Sequence, residues 1–272
     1  MEALSPERAR YDVDDRFYDE AFAARGEPHP HYRAAIEALE QRDLRVLESA
    51  SADAVRERGA YFGDNDAFAV DPVPRVLSAE EWSGLAAGLT QRVRALNAFL
   101  ADIYGERRIV AAGVLPARVV ESADHYEPWM AGVAVRGPRI AAAGLDVVRD
   151  ASGRFMVLED NVRTPSGIAY AEVAREVVGE LLDRPGGDDF GPSFEALGAA
   201  LRAAAPAGID DPNVVLLSDG ESNSAWFEHR RIARRLGIPI VTFADLDIRD
   251  GRVFARHEGR REPVDVIYRR TD

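Results

Sequence analysis

The 272-residue sequence predicts an α/β protein whose first part is α+β in character. Three observations lead there. From Pro212 onward the chain reads strand, loop, helix, strand, the order that builds parallel sheets. Ser78 opens a long amphipathic helix that carries its own capping signal. Between these parts, two strand-like stretches are joined by a turn-rich tetrapeptide.

Taken in order, residues 1–75 read as an irregular, partly helical lead-in, with one helix over about 31–57. Asp71-Pro72-Val73-Pro74-Arg75 breaks it. Ser78 is then a good N-cap, and Glu81 completes a capping box. Trp82, Leu85, Leu89, Val93, Leu96, Leu100 and Ile103 recur at three- and four-residue steps until Gly105, a stripe expected to pack in the core. Strands follow at 140–148 and 154–159, joined around Asp150-Ala151-Ser152-Gly153. Thr164-Pro165-Ser166-Gly167 leads into a helix over 168–182, and residues 183–189 read as a linker. An Ala-rich helix over 193–204 precedes the change in style, so the chain divides at 205/206. The second unit has a strand at 214–217, a helix at 223–236 and a strand at 239–243, with further strands at 253–255 and 264–268.

Composition narrows the function classes. The formal net charge of −13 argues against a general binder of phosphate backbones, so no nucleic-acid partner is expected. All 34 basic residues are arginine, which excludes a Schiff-base lysine and a P-loop lysine. Without cysteine there is neither a disulfide framework nor a thiolate metal site. No apolar run reaches the roughly 20 residues that span a bilayer, and the charged start MEALSPERAR is unlike a signal peptide. A cytoplasmic protein without a membrane partner is expected.

The strand pair carries the candidate chemistry. With Arg149 opposite Arg154, Asp146 lies opposite Val157, and Asp146, Glu159 and Asn161 project from one side. Asp146 and Glu159 are then diagonal neighbours with backbones roughly 7–8 Å apart. Two carboxylates and an amide oxygen at that span suit a hard cation such as Mg²⁺. Phe155 and Val157 would share this acidic face, and a hairpin apolar on both sides is expected to be buried. The residues alone leave two readings: a cation site, or acids on a wet strand face. Arg149 and Arg163 are the alternative partners for the carboxylates.

Gly144-Leu145-Asp146-Val147-Val148-Arg149-Asp150 and Val157-Leu158-Glu159-Asp160-Asn161-Val162-Arg163-Thr164-Pro165-Ser166-Gly167 closely resemble the circularly permuted type 2 ATP-grasp family. Gln91 to Leu100, Asn223 to His229 and Val264 to Arg270 resemble further motifs of it, in the same order. The chain is similar, more distantly, to the amide-forming domain of glutathionylspermidine synthetase. The resemblance implies an ATP-grasp-like catalytic half over 1–205 and a partial Rossmann-like (pre-ATP-grasp) unit over 206–272. It implies a ligase that uses ATP and Mg²⁺ to join a small-molecule carboxylate and an amine through an acyl phosphate.

Carried over residue by residue, the resemblance assigns Asp146, Glu159 and Asn161 to Mg²⁺ and Arg163 to the phosphates or acyl phosphate. Arg149, Thr164, Ser166 and Gly167 fall to the nucleotide; the last three precede a helix, where free N–H groups suit an anion. The loop Ser218-Asp219-Gly220-Glu221-Ser222-Asn223 follows a strand and lacks a full G-x-G-x-x-G pattern, so no dinucleotide site is assigned. Ser222, Asn223, Arg269 and Arg270 are assigned to substrate; His229 is a weaker contact, or a plain polar residue on its helix.

The sequence departs from the family in two ways. Members normally continue past the Tyr-Arg-Arg motif, and they hold ATP with lysines that this chain lacks. A truncated chain is therefore expected, with a missing C-terminal segment or partner subunit. The alternative is a non-catalytic binding domain derived from the same family.

Overall fold

The computed structural model of the chain describes residues 11–14, 16–63, 66–183 and 190–271. Of the expected linker, only Asp183 falls within these residues.

The lead-in begins with a short antiparallel pair, β1 (Phe22–Ala24) and β2 (Glu27–Pro28). Two helices follow where one was expected, α1 (Arg33–Glu40) and α2 (Leu44–Glu57). The break has a local cause: the Asp43 side chain accepts the Arg45 backbone N–H, so it caps a new helix start. A second short pair, β3 (Tyr61–Phe62) and β4 (Asp66–Ala67), leads to α3 (Ala79–Ile103).

Helix α3 starts as the sequence predicts. Ser78 Oγ accepts from Glu81 N at 3.2 Å and Glu81 Oε2 accepts from Ser78 N at 2.8 Å. Its apolar stripe does not become core. Within α3 only Ile103 is buried, and Trp82 is 53% exposed. Two of its residues, Leu89 and Val93, line a cleft of about 1040 Å³ together with Asn97, Leu145 and Ala196.

Two short helices, α4 (Arg108–Ala111) and α5 (Ala117–Glu121), connect to the hairpin β5 (Gly144–Arg149) and β6 (Phe155–Asn161). Next come α6 (Ile168–Leu181) and α7 (Gly191–Ala203). Helix α6 buries Tyr170, Val173 and Val177 against Val55 of α2 and against Phe227.

The parallel unit is β7 (Val214–Leu217), α8 (Trp226–Leu236) and β8 (Ile240–Val241). An antiparallel meander follows, β9 (Leu246–Arg249), β10 (Arg252–His257) and β11 (Arg260–Pro263). Strand β12 (Val266–Arg269) then returns beside β7, giving the order β12-β7-β8.

All four residues of β7 are buried, which is why its sequence is an unbroken apolar run. Val214 and Leu216 pack on Phe194, Leu197 and Leu201 of α7 and Ile232 of α8. Val215 and Leu217 pack on Val241 and on Ala255 of the meander. The sheet is thus a middle layer, and α7, which precedes the expected division at 205/206, supplies much of one outer layer.

Candidate active site

The hairpin is closed by its own loop. Asp150 accepts from Ser152 N at 2.9 Å, Ser152 Oγ at 2.6 Å and Arg154 N at 3.0 Å. Gly153, at φ 81°, supplies the left-handed residue this turn needs. Arg154 therefore belongs to the loop, and Arg149 pairs with Phe155 rather than with Arg154.

A one-residue change of register would by itself send Asp146 and Glu159 to opposite faces. A bulge at Leu158 reverses the effect. Val147 pairs with Val157, the next pair is Asp146 with Glu159, and Gly144 pairs with Asn161. Asp146, Glu159 and Asn161 do share a face, with the two acids directly opposite instead of diagonal. Their neighbours are Val148 and Met156, both exposed, while Phe155 and Val157 lie on the inner face. The acidic face is open to solvent, contrary to the expected burial. Asn161 Nδ2 donates to Asp146 Oδ1 at 3.3 Å.

The inner face anchors the hairpin. Asp160 takes a two-pronged contact from Arg92 of α3, Nε at 2.7 Å and Nη2 at 2.6 Å, which lowers its pKa. Arg149 lies here too. Its guanidinium sits 4.0 Å from the Phe155 ring centroid and donates to Glu81 at 2.7 Å and to the Gly153 carbonyl at 3.0 Å. Burial pushes the Glu81 carboxyl up, but its Ser78 and Arg149 bonds win and hold it at about 2. Arg149, expected at the nucleotide, is thus a clamp between hairpin and α3 cap, on the face away from Asp146.

Beyond Asn161 the chain runs close to the base of the hairpin. A Cβ on Gly144 would lie 3.0 Å from Pro165 Cβ, so glycine permits this approach. Arg163 is exposed, with Nη1 3.3 Å from both ring nitrogens of His125. Thr164 is half-buried.

The first turn of α6, expected to offer N–H groups to a ligand, already holds an anion from the protein itself. Glu228 of α8 is fully buried, and its Oε2 accepts from Gly167 N at 2.7 Å and Ala169 N at 3.1 Å. Ser166 does not cap α6; its hydroxyl accepts from Arg270 Nη2 at 2.7 Å. Arg270 also donates to the Pro165 carbonyl at 2.5 Å and to Glu228 Oε1 at 3.0 Å. Gly167, Ser166 and Arg270 thus all take part in or contact a buried ion pair. The Glu228 carboxylate also raises the pKa of Tyr170, to about 12, after the larger effect of burial.

Ser222 and Asn223 turn back on their own loop at the carboxyl end of β7. Ser222 Oγ donates to the Asp219 carbonyl at 3.2 Å and Asn223 Nδ2 to the Asp219 carboxylate at 3.0 Å. Arg269 is exposed, and its Nε donates to the Thr271 carbonyl at 3.3 Å. His229 is buried, with Nδ1 2.8 Å from Ser218 Oγ. Burial first, and then Arg270, lowers its pKa to about 4.

Sequence reasoning missed Glu228, and a signal existed. It stands four residues before the buried Ile232, on the apolar face of α8. The oxygen donors of Asp146, Glu159 and Asn161 fit a hard cation that takes its other ligands from water and phosphates. Among the described residues no group of three His, Cys, Asp or Glu side chains is placed to hold a metal. Among them, too, no helix is long and apolar enough to cross a membrane.

Residues 74–272 match the family described as circularly permuted ATP-grasp type 2. An uncharacterized protein of Mycobacterium leprae is 39% identical over 276 residues, covering 96% of this chain and 48% of that protein. A protein of Synechocystis sp. is 36% identical over 275 residues, covering 94% of this chain and 56% of that protein. A Frankia casuarinae protein named "Putative glutamate--cysteine ligase 2-2" is 42% identical over 269 residues, covering 94% of this chain and 31% of that protein. The chain therefore spans about half the length of the first two relatives and about a third of the last.

Proposed function

Because the chain belongs to the circularly permuted ATP-grasp type 2 family, we propose that its acidic hairpin serves an ATP- and Mg²⁺-dependent carboxylate–amine ligase. The observation that carries this reading is the placement of Asp146, Glu159 and Asn161 on one solvent-open face. These three residues would hold Mg²⁺ against the nucleotide phosphates. When bound, the ion would neutralise phosphate charge and template the transfer.

The chain's own residues orient and stabilise. Arg163, just beyond Asn161, would bring its guanidinium to the negative charge that develops on the moving phosphoryl group. Thr164, in the same loop, is the remaining candidate for a phosphate contact. Arg269, exposed at the carboxyl end of β12, is proposed for the substrate carboxylate, with the 218–223 loop beside it.

In the reaction, a carboxylate oxygen attacks the γ-phosphorus and the bond to ADP breaks. The amine nitrogen then attacks the acyl carbon, the carbon–oxygen bond to phosphate breaks, and the nitrogen loses a proton to solvent. The name of the Frankia relative supports amino acids as the first substrates to screen.

Calorimetric titration of the wild type with ATP, with and without Mg²⁺, tests the reading. Binding should require Mg²⁺ and should weaken by tenfold or more (~1.4 kcal/mol) in Glu159→Ala and Asn161→Ala. Equal binding by all three proteins would sink the assignment. A panel of amino acids and polyamines should release ADP only when both an acid and an amine are present.

A further inference from the structure

Three distant stretches of chain meet at one buried ion pair. Glu228 comes from the first turn of α8, Arg270 follows β12, and residues 165–169 form the entry to α6. The Glu228 and Arg270 side chains are 0% and 1% exposed. Each carboxylate oxygen is engaged: Oε2 by Gly167 N and Ala169 N, Oε1 by Arg270. The guanidinium in turn holds the Pro165 carbonyl and the Ser166 hydroxyl.

So four of the residues 165–169 (Pro165, Ser166, Gly167 and Ala169) contact this pair, and they begin four residues beyond Asn161. No such network is needed to end a strand or start a helix, since Gly167 alone could leave its N–H to water. Its cost is the desolvation of two charges, and a well-packed apolar pair would serve stability as well. What the polar pair adds is a defined position for the loop that follows Asn161 and carries Arg163 and Thr164.

We propose that Glu228 and Arg270 are positioning residues: they fix the 162–167 loop beside the acidic face of the hairpin, so that Arg163 and Thr164 meet an incoming nucleotide in one arrangement. The proposal rests on the reading of that face as a nucleotide–metal site. Neither residue touches the ligand. They act through Gly167, Ala169, Pro165 and Ser166, as partners behind a metal site commonly do.

The test uses the full 272-residue chain. Glu228→Gln keeps the shape of the side chain and removes its charge. Its amides at Gly167 and Ala169 should exchange with deuterium faster than in the wild type. Its affinity for ATP in Mg²⁺ should fall by about tenfold or more. Val177→Ala, in the buried part of α6 away from the loop, serves as a control for lost stability. It should bind ATP as the wild type does.

Arg270→Lys carries the same test should Glu228→Gln not fold. It keeps the buried charge but loses the fork that spans Pro165, Ser166 and Glu228, and should weaken binding in the same direction. Unchanged binding in the folded variants overturns the positioning role, as does an equal loss in Val177→Ala. Absence of Mg²⁺-dependent binding in the wild type itself would overturn the nucleotide reading and this inference with it.

Discussion

Two parts of the molecule hold carboxylates beside polar partners, and they do so in opposite ways. On the outer face of β5 and β6, Asp146 and Glu159 stand opposite each other in solvent, with the Asn161 amide as the neighbour that bonds Asp146. At the carboxyl end of the parallel sheet, Glu228 is sealed from water and receives two backbone N–H groups and a guanidinium. Water can solvate an exposed acid, so the outer face tolerates two facing negative charges and keeps its oxygens available to a cation. A buried acid has no such freedom. Glu228 must be satisfied by the protein, and its chemistry is committed to holding three segments together. The same residue type thus marks a place for a ligand in one region and a place closed to ligands in the other.

The largest effect that would sharpen this contrast is on stability. Glu228→Ala leaves Arg270 buried without its counter-charge, and urea denaturation should show a loss of about 3–5 kcal/mol. A loss below about 1 kcal/mol would break the comparison, since the pair would then be no more than a surface contact.

A second effect comes from His229, next to Glu228 on α8. Its folded-state pKa is lowered to about 4, so it stays neutral in the folded protein while the unfolded chain begins to take up a proton near pH 6.5. The unfolded state therefore binds more protons as pH falls through this window. Stability should drop by up to about 3 kcal/mol between pH 6.5 and 4 on this account. His229→Gln should remove that part of the slope in denaturation curves measured across the window; an unchanged slope would assign it to other groups.

The smallest effect belongs to the outer face. Glu159→Gln removes one of two facing acids and should change stability by less than ~0.5 kcal/mol in the absence of divalent cations. A loss of several kcal/mol would mean that Glu159 serves the fold, as Glu228 does.

One side of this contrast, the acidic face, is legible in the sequence, and the rest of the fold is legible unevenly. The Ser78–Glu81 capping box and the buried run Val214–Leu217 carry their structure in local chemistry, and both form as read. The stripe of α3 has the right period for a core helix, yet period reports a preference for burial and not the presence of a covering element. The hairpin strands were visible, whereas their register was not. It depends on Asp150 gathering Ser152 and Arg154 into the loop and on a bulge at Leu158, neither of which alternation reveals.

Strands β9 and β11 escaped notice because Asp247 and Arg249, and then Arg260, Arg261 and Glu262, break the apolar signal of edge positions. Glu228 lies within the Asn223 to His229 motif, and the sequence assigns it no role of its own. The cluster it forms depends on contacts 42 to 61 residues away in sequence, which no local pattern encodes.

The most direct measurement replaces Mg²⁺ with paramagnetic Mn²⁺ and follows the backbone amides by NMR in the presence of ATP. Substoichiometric Mn²⁺ should broaden residues 144–148 and 157–163 first and leave the meander β9–β11 sharp. Broadening centred elsewhere, or none at all, would contradict the assignment of the outer face of β5 and β6 as the place where metal and nucleotide are held.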